Sequence, residues 1–437
     1  MRTLPISLLF VAVCLFATAA LAQDAAFDDH FRGDSTLRID YIHTGTFGAE
    51  EYNLDLLIHE GAWPGRKARL VDPTGYGKHR VEVFVQGSEK PVFSQGYASL
   101  FGEWQTTAEA RRGMRRAFHE TVRVPWPKTV VTIRFSSRDP KGTFQELLRF
   151  DVDPADPTIQ PTRFTEGQFP VVVLQEVAGS TDRTLDVLIL GDGYTAAEMD
   201  KYHRDLQRFA RHFFAMRPFR DRRDVINLRA LDLVSKDSGP DEPRKRIQRD
   251  TVLSTTFNTF GSARYLTISD SDGLHDIAAT APYDTVYIMV NTSRYGGAGV
   301  YRQFSIFPSD NEYDEYVMIH EFGHGFGGLG DEYYSSGVAY EEFYPKGVEP
   351  WEPNITALLD PKNPKWGELI ESGVPCPTPA DPTKYAGRAG CFEGAGYQEK
   401  GLYRPALDCT MFGKGAVPFC PVCTKALLDM IDLESGR

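Results

Sequence analysis

An excess of basic charge, a long apolar run in the body of the chain, internal repeats and a second C-x-x-C pair are all missing here. The 437 residues hold 48 Lys and Arg against 60 Asp and Glu, a formal net charge of -12. A surface that binds nucleic acid is basic, so this balance argues against general polyanion binding. The basic run Arg111, Arg112, Arg115 and Arg116 reads as a solvated face. After the first two dozen residues no apolar stretch is long enough to span a bilayer, so no stable membrane insertion is expected. No repeat or low-complexity tract is evident. Cys420-Pro421-Val422-Cys423 is a lone C-x-x-C without a thioredoxin-like βαβ context, which weakens both a redox and a half-zinc-site reading and favours a structural role. The acidic loops Asp237–Asp241 and Ser269–Gly273 lack the full EF-hand ligand pattern and read as turns.

What is present is an ordinary globular composition, 41% hydrophobic and 25% charged, at a length that suits two or three domains. Residues Met1–Ala22 read as a secretory leader: Arg2, an apolar run from Leu8 to Leu21, and Ala20-Leu21-Ala22 before Gln23. The expectation is an exported protein, secreted or periplasmic, in an oxidising compartment. Five cysteines then remain. Cys376 and Cys391 are the first expected bridge, and Cys409 is expected to pair with Cys420 or Cys423, leaving one thiol over. Asn291-Thr292-Ser293 and Asn354-Ile355-Thr356 match the glycosylation sequon.

The fold class expected is α+β and multidomain. From about residue 30 to 155, Leu37/Ile39/Tyr41, Val81/Val83/Val85, Val131/Ile133/Phe135 and Leu148/Phe150/Val152 recur at every second position between turn residues. That pattern predicts an N-terminal antiparallel β-sandwich over 23–160. Asp153–Gln168, with three prolines, reads as a linker. From 170 to 437 strands and helices alternate. Leu185–Leu190, Leu228–Val234, Val286–Val290 and Val300–Phe307 are predicted strands. Thr195 opens a helix with Glu198 completing a capping box, and Met199, Tyr202, Leu206, Phe209 and Phe213 form its core stripe.

The chemistry concentrates in His320-Glu321-Phe322-Gly323-His324. On a helix the two histidines lie one turn apart on one face, which suits Zn²⁺. Glu321 lies about 100° round the helix, where it reaches a water instead of the metal, the position of a general base. Val317, Met318 and Ile319 make the segment a buried helix, and Gly325, Gly327, Gly328 and Gly330 end it and free the chain to fold back. Asp331-Glu332 then offers a carboxylate pair, placed to return toward the metal as third ligand.

These motifs, with Ile189-Leu190-Gly191-Asp192-Gly193-Tyr194-Thr195, Tyr295-Gly296-Gly297, Gly328-Leu329-Gly330-Asp331-Glu332-Tyr333-Tyr334 and Cys409-Thr410-Met411-Phe412, resemble the IgA-peptidase family of bacterial secreted metallopeptidases. More broadly the chain is similar to metzincins, with Gly327 as the glycine of H-E-x-x-H-x-x-G and Met411 as the methionine under the metal. It departs from them at Gly330, where metzincins place a third histidine; the carboxylate comes one residue later, so against that pattern Asp331 is the expected third ligand and Glu332 the alternative. The resemblance implies a metzincin-like α/β zinc-peptidase domain after the sandwich, with a disulfide-bearing C-terminal part. It also implies a zinc endopeptidase acting on polypeptide, glycoprotein or immunoglobulin-like substrates. The competing expectation is a catalytically inert zincin-like module that binds protein or glycan.

Overall fold

The computed structural model describes residues 27–335 and 343–437; the expected leader at 1–22 lies outside the described residues. The first eight strands are β1 (Phe31–Thr46), β2 (Ala49–Glu60), β3 (His79–Val85), β4 (Pro91–Tyr97), β5 (Arg116–Pro127), β6 (Val131–Arg138), β7 (Phe144–Val152) and β8 (Gln160–Pro161). They form two four-stranded sheets, ordered β5-β1-β2-β8 and β4-β3-β6-β7. Alternate side chains point inward from both sheets. Leu37, Ile39 and Tyr41 of β1 and Val122 and Val124 of β5 share one buried core with Val81 and Val83 of β3 and Ile133 and Phe135 of β6. Two sheets closed over one core make a sandwich. Its pairs are antiparallel except for β8, which runs parallel to β2 at Ile58 and His59. Part of the expected linker is therefore an edge of the first sheet.

The second half is built on a mixed six-stranded sheet. In chain order its strands are β9 (Val171–Gln175), β10 (Leu185–Asp192), β11 (Ile226–Leu231), β14 (Thr285–Val290), β15 (Ala298–Val300) and β16 (Phe304–Pro308), in spatial order β15-β16-β14-β10-β11-β9. A two-strand ladder, β12 (Thr255–Thr256) with β13 (Thr267–Ile268), lies outside it. The four inner strands are parallel and the outer two antiparallel. Helices cover both faces, so β10 is buried along its whole length. Val187 and Ile189 face one core, with α1 (Met199–Ala215), α3 (Asp314–Gly325) and α4 (Pro421–Glu434). Leu188 and Leu190 face the other, with α2 (Ser271–Ala278). The Thr195–Glu198 capping box is present ahead of α1. No helix among the described residues is long and apolar enough to cross a membrane.

Two expected strands come out differently. The chain leaves β11 at Asp232, and Val234 is exposed beyond it. Val300–Phe307 is two antiparallel strands, because Tyr301–Gln303 turns the chain with Arg302 at φ 59°. That turn makes β15, not the whole segment, the sheet edge.

Buried ion clusters fix the sandwich to the second half. Arg38 of β1 binds Asp40 at 2.6 Å and Asp276 of α2 at 2.8 Å. Glu434, at the end of α4, binds Arg66 at 3.1 Å and Arg302 at 2.6 Å, all of them buried or nearly so. Burial opposes the Glu434 charge, yet Arg302 and Arg66 hold its carboxyl below the ordinary value. Glu434→Gln leaves two buried guanidiniums without their anion and should destabilise the chain by about 3–5 kcal/mol in urea unfolding at neutral pH. A depressed carboxyl stabilises above its unfolded pKa of about 4.3, and loses that contribution as pH falls through the lower folded value. The gap between wild type and variant should therefore close in acid.

Candidate metal centre

Helix α3 carries Val317, Met318, Ile319 and Phe322 into the core and leaves His320, Glu321 and His324 on the side facing a cleft. Its end is abrupt. Gly328 takes φ 64°, a conformation that favours glycine, and the Leu329 N–H donates back to the Gly323 carbonyl. This reversal returns Asp331 to the histidines. Asp331 Oδ1 lies 3.1 Å from His320 Nε2 and 3.2 Å from His324 Nε2, and the two Nε2 atoms are 3.1 Å apart.

Three nearly equal edges describe the face of a tetrahedron. Donors about 2.0 Å from a tetrahedral zinc are about 3.3 Å from one another, close to what is found here. The tautomers agree with this. His320 Nδ1 is 3.0 Å from the Thr410 carbonyl and His324 Nδ1 is 2.6 Å from that of Leu329. Each Nδ1 therefore carries a proton, and in the neutral imidazole each Nε2 presents a lone pair to the same point. Asp331 Oδ1 is buried without a hydrogen bond. Three electron pairs facing one point repel unless a cation sits among them, so this donor set fits a divalent metal. Burial opposes charge on both sides of the cluster. Even so, the facing histidines hold the Asp331 carboxyl well below its ordinary value, and Asp331 lifts His324 to about 9. Proton and metal therefore compete for the same donors.

Glu332, the alternative ligand, turns away from the histidines. Its Oε1 accepts from the Asn354 amide at 3.0 Å and lies 3.0 Å from Cys423 Sγ. Asn354 also closes the loop by bonding both the N–H and the carbonyl of Gly330. It is fully buried, so that sequon is a structural asparagine in the folded chain. Met411 is buried beneath the helix at Gly323. Glu321, beside the three donors, has its carboxyl pushed up by burial.

Sequence reasoning missed Tyr397, Tyr316 and Arg264 as neighbours of the donors. Tyr397 donates to Asp331 Oδ2 at 2.6 Å, and the Tyr316 hydroxyl is 3.2 Å from His320 Nδ1. Tyr316 sits four residues before His320, a helical spacing that could have flagged it. Tyr397, in the hairpin of β17 (Phe392–Ala395) and β18 (Gln398–Arg404), had no sequence signal. The Tyr333 ring lies parallel to that of His320, centroids 6.5 Å apart, and Arg264 stands beside Tyr333 and Tyr295. Tyr334 instead packs near Phe412.

The cleft over the donors encloses about 1940 Å³. The backbone of Gly296–Gly299 forms one side, and Phe47, Glu50 and Arg138 of the sandwich contribute another. A Cβ at Gly299 would stand 2.3 Å from the Glu321 carbonyl and 2.6 Å from His324 Cβ. Gly299→Ala should push β15 off the helix, lowering both thermal stability and metal affinity, measured by melting and by metal titration.

The cysteines divide as follows. Cys376 and Cys391 form the expected disulfide. Cys409, Cys420 and Cys423 are all free, contrary to the expected second bridge. The reason is local: Cys420 caps α4 with its sulfur, which accepts from the Cys423 N–H, while the Cys423 sulfur is turned to Glu332.

A helix-borne pair of histidines with a general-base candidate between them, closed by a carboxylate and opening on a long cleft, has the form of a metallohydrolase site. The family comparison names the class more closely. The profile described as IgA Peptidase M64 matches residues 172–389 and 381–431, and that described as Peptidase M64 N-terminus matches 26–149. The chain belongs to the IgA peptidase M64 family, and membership implies a peptidase. No curated protein matches it.

Proposed function

We propose that the chain is an exported zinc endopeptidase with a metzincin-like catalytic unit. His320, His324 and Asp331 are its metal ligands and Glu321 is its general base. The observation that carries this reading is the triangle of donor atoms at 3.1, 3.1 and 3.2 Å, with both histidines held in the tautomer that leaves Nε2 free. Zinc bound there would supply Lewis acidity to water and to the substrate carbonyl. Glu321 takes a proton from the attacking water and delivers it to the leaving amine. Its raised proton affinity suits a group that must do both. Ala298 and Gly299, on the edge strand β15 and along the cleft, offer backbone groups to an extended peptide. Tyr333 and Arg264 are the donor candidates for the developing oxyanion. Tyr397 positions Asp331. Export rests on the leader-like sequence, and the Cys376–Cys391 bridge fits an oxidising compartment.

The test is digestion of unfolded casein, and of intact immunoglobulin beside it, with fragments mapped by mass spectrometry. Internal cuts are expected in at least one substrate. A folded, metal-loaded chain that cuts neither would favour the binding-module reading.

A further inference from the structure

Behind the first cluster lies a second set of metal-type donors. Cys409, Cys420, Cys423 and Glu332 each offer one ligand atom, and these atoms all lie within 4.8 Å of one another. Their exposures are 0%, 5%, 0% and 0%, so the cluster is sealed from solvent. Three thiols around a carboxylate in a dry interior is an unfavourable arrangement unless something binds them together. Glu332 Oε2 has no hydrogen-bond partner at all.

Two interpretations compete. One is a disulfide between two of the three cysteines. It leaves the third thiol outside the bond and Glu332 Oε2 still without a partner. It would also have to turn Cys420 out of its capping position or Cys423 away from Glu332. The other is a bound metal, and three details favour it. The Cys420 N–H points at Cys409 Sγ at 3.3 Å, and the Cys423 N–H at Cys420 Sγ at 3.4 Å. Such N–H donors stabilise thiolate ligands. Cys420 and Cys423 sit at the N-terminus of α4, a helix of 14 residues, where the backbone field lowers the cost of negative sulfur. The spacing is also right. Sulfurs about 2.3 Å from a tetrahedral zinc are about 3.8 Å apart, a separation that lies within the 4.8 Å limit on these atoms.

We propose that Cys409, Cys420, Cys423 and Glu332 form a second, structural zinc site. Thiolate softness favours zinc over magnesium or calcium, and four protein donors leave no open position for substrate. Binding releases the thiol protons to solvent. The site ties the two arms of the first cluster together. Glu332 follows Asp331 directly, and its N–H donates to the Met411 carbonyl at 2.8 Å. Cys409 precedes Thr410, whose carbonyl orients His320. The second ion therefore braces the turn and the loop that aim the first set of donors. This proposal stands whether or not the first site is catalytic.

The experiment uses the full chain after export, purified without added chelator, with zinc itself as the probe. Wild type should carry two zinc ions per chain. His320→Ala/His324→Ala should retain one, with a sulfur-dominated X-ray absorption shell and a Zn–S distance of about 2.3 Å. Alkylation of denatured, unreduced wild type should mark Cys409, Cys420 and Cys423 as free thiols. A disulfide joining any two of them would overturn the proposal. So would a folded double-histidine variant without zinc. Should that variant fail to fold, the wild-type absorption spectrum decides: sulfur in the zinc shell supports the site, and a shell of nitrogen and oxygen alone overturns it.

Discussion

Glu321→Gln is expected to lower peptide hydrolysis by about 10²–10⁴-fold, the usual contribution of a positioned acid–base group, while metal content stays at the wild-type level. The substitution keeps the shape of the side chain and its place beside Gly297. It removes only the ability to accept and return a proton. Glu321 is not one of the three converging donors, so its loss should not release the ion. Assays of kcat/KM with a fluorogenic peptide, beside metal analysis of the same preparation, separate these effects. An active Glu321→Gln enzyme would remove the general-base assignment. An inactive variant that had also lost its metal would make Glu321 a ligand or a structural residue instead.

The second large effect is expected at Asp331. Asp331→Ala removes one corner of the donor triangle and the acceptor of the Tyr397 hydroxyl. Even outer-shell substitutions cost about 10–100-fold in metal affinity, so loss of a direct ligand should exceed about 100-fold. Titration of the metal-free protein with zinc measures it. Tyr397→Phe keeps the ligand and loses only its hydrogen bond, so it should fall within that outer-shell range. If Asp331→Ala bound zinc at the first cluster as tightly as wild type, the third donor would have to be sought elsewhere.

Much of this site is local and was legible for that reason. The i, i+4 histidines, the intervening glutamate and the glycines that end the helix all lie within 11 residues, from His320 to Gly330, and helix geometry alone brings them together. The sandwich strands were legible because one face of each is buried, giving the period-two pattern. The parallel strands β10 and β14 were read from their apolar runs, but not which residue faces which core, since both faces are covered. What the sequence hid is what long-range packing decides. Glu332 and Cys423 are 91 residues apart and meet only because α4 packs behind the loop. Tyr397 reaches Asp331 across 66 residues. The division of labour between Asp331 and Glu332 depends on which way each side chain turns in one short loop, with Asn354 holding Glu332 back. Arginine is too common for Arg38 or Arg66 to have stood out, yet both lock the sandwich to the second half.

The most direct single measurement is chelation and reloading of the wild-type chain during casein digestion. Removal of metal should abolish cleavage, and reloading with zinc until the His320–His324–Asp331 site is filled should restore it. Cleavage that continues in the metal-free protein would contradict a metallopeptidase mechanism outright.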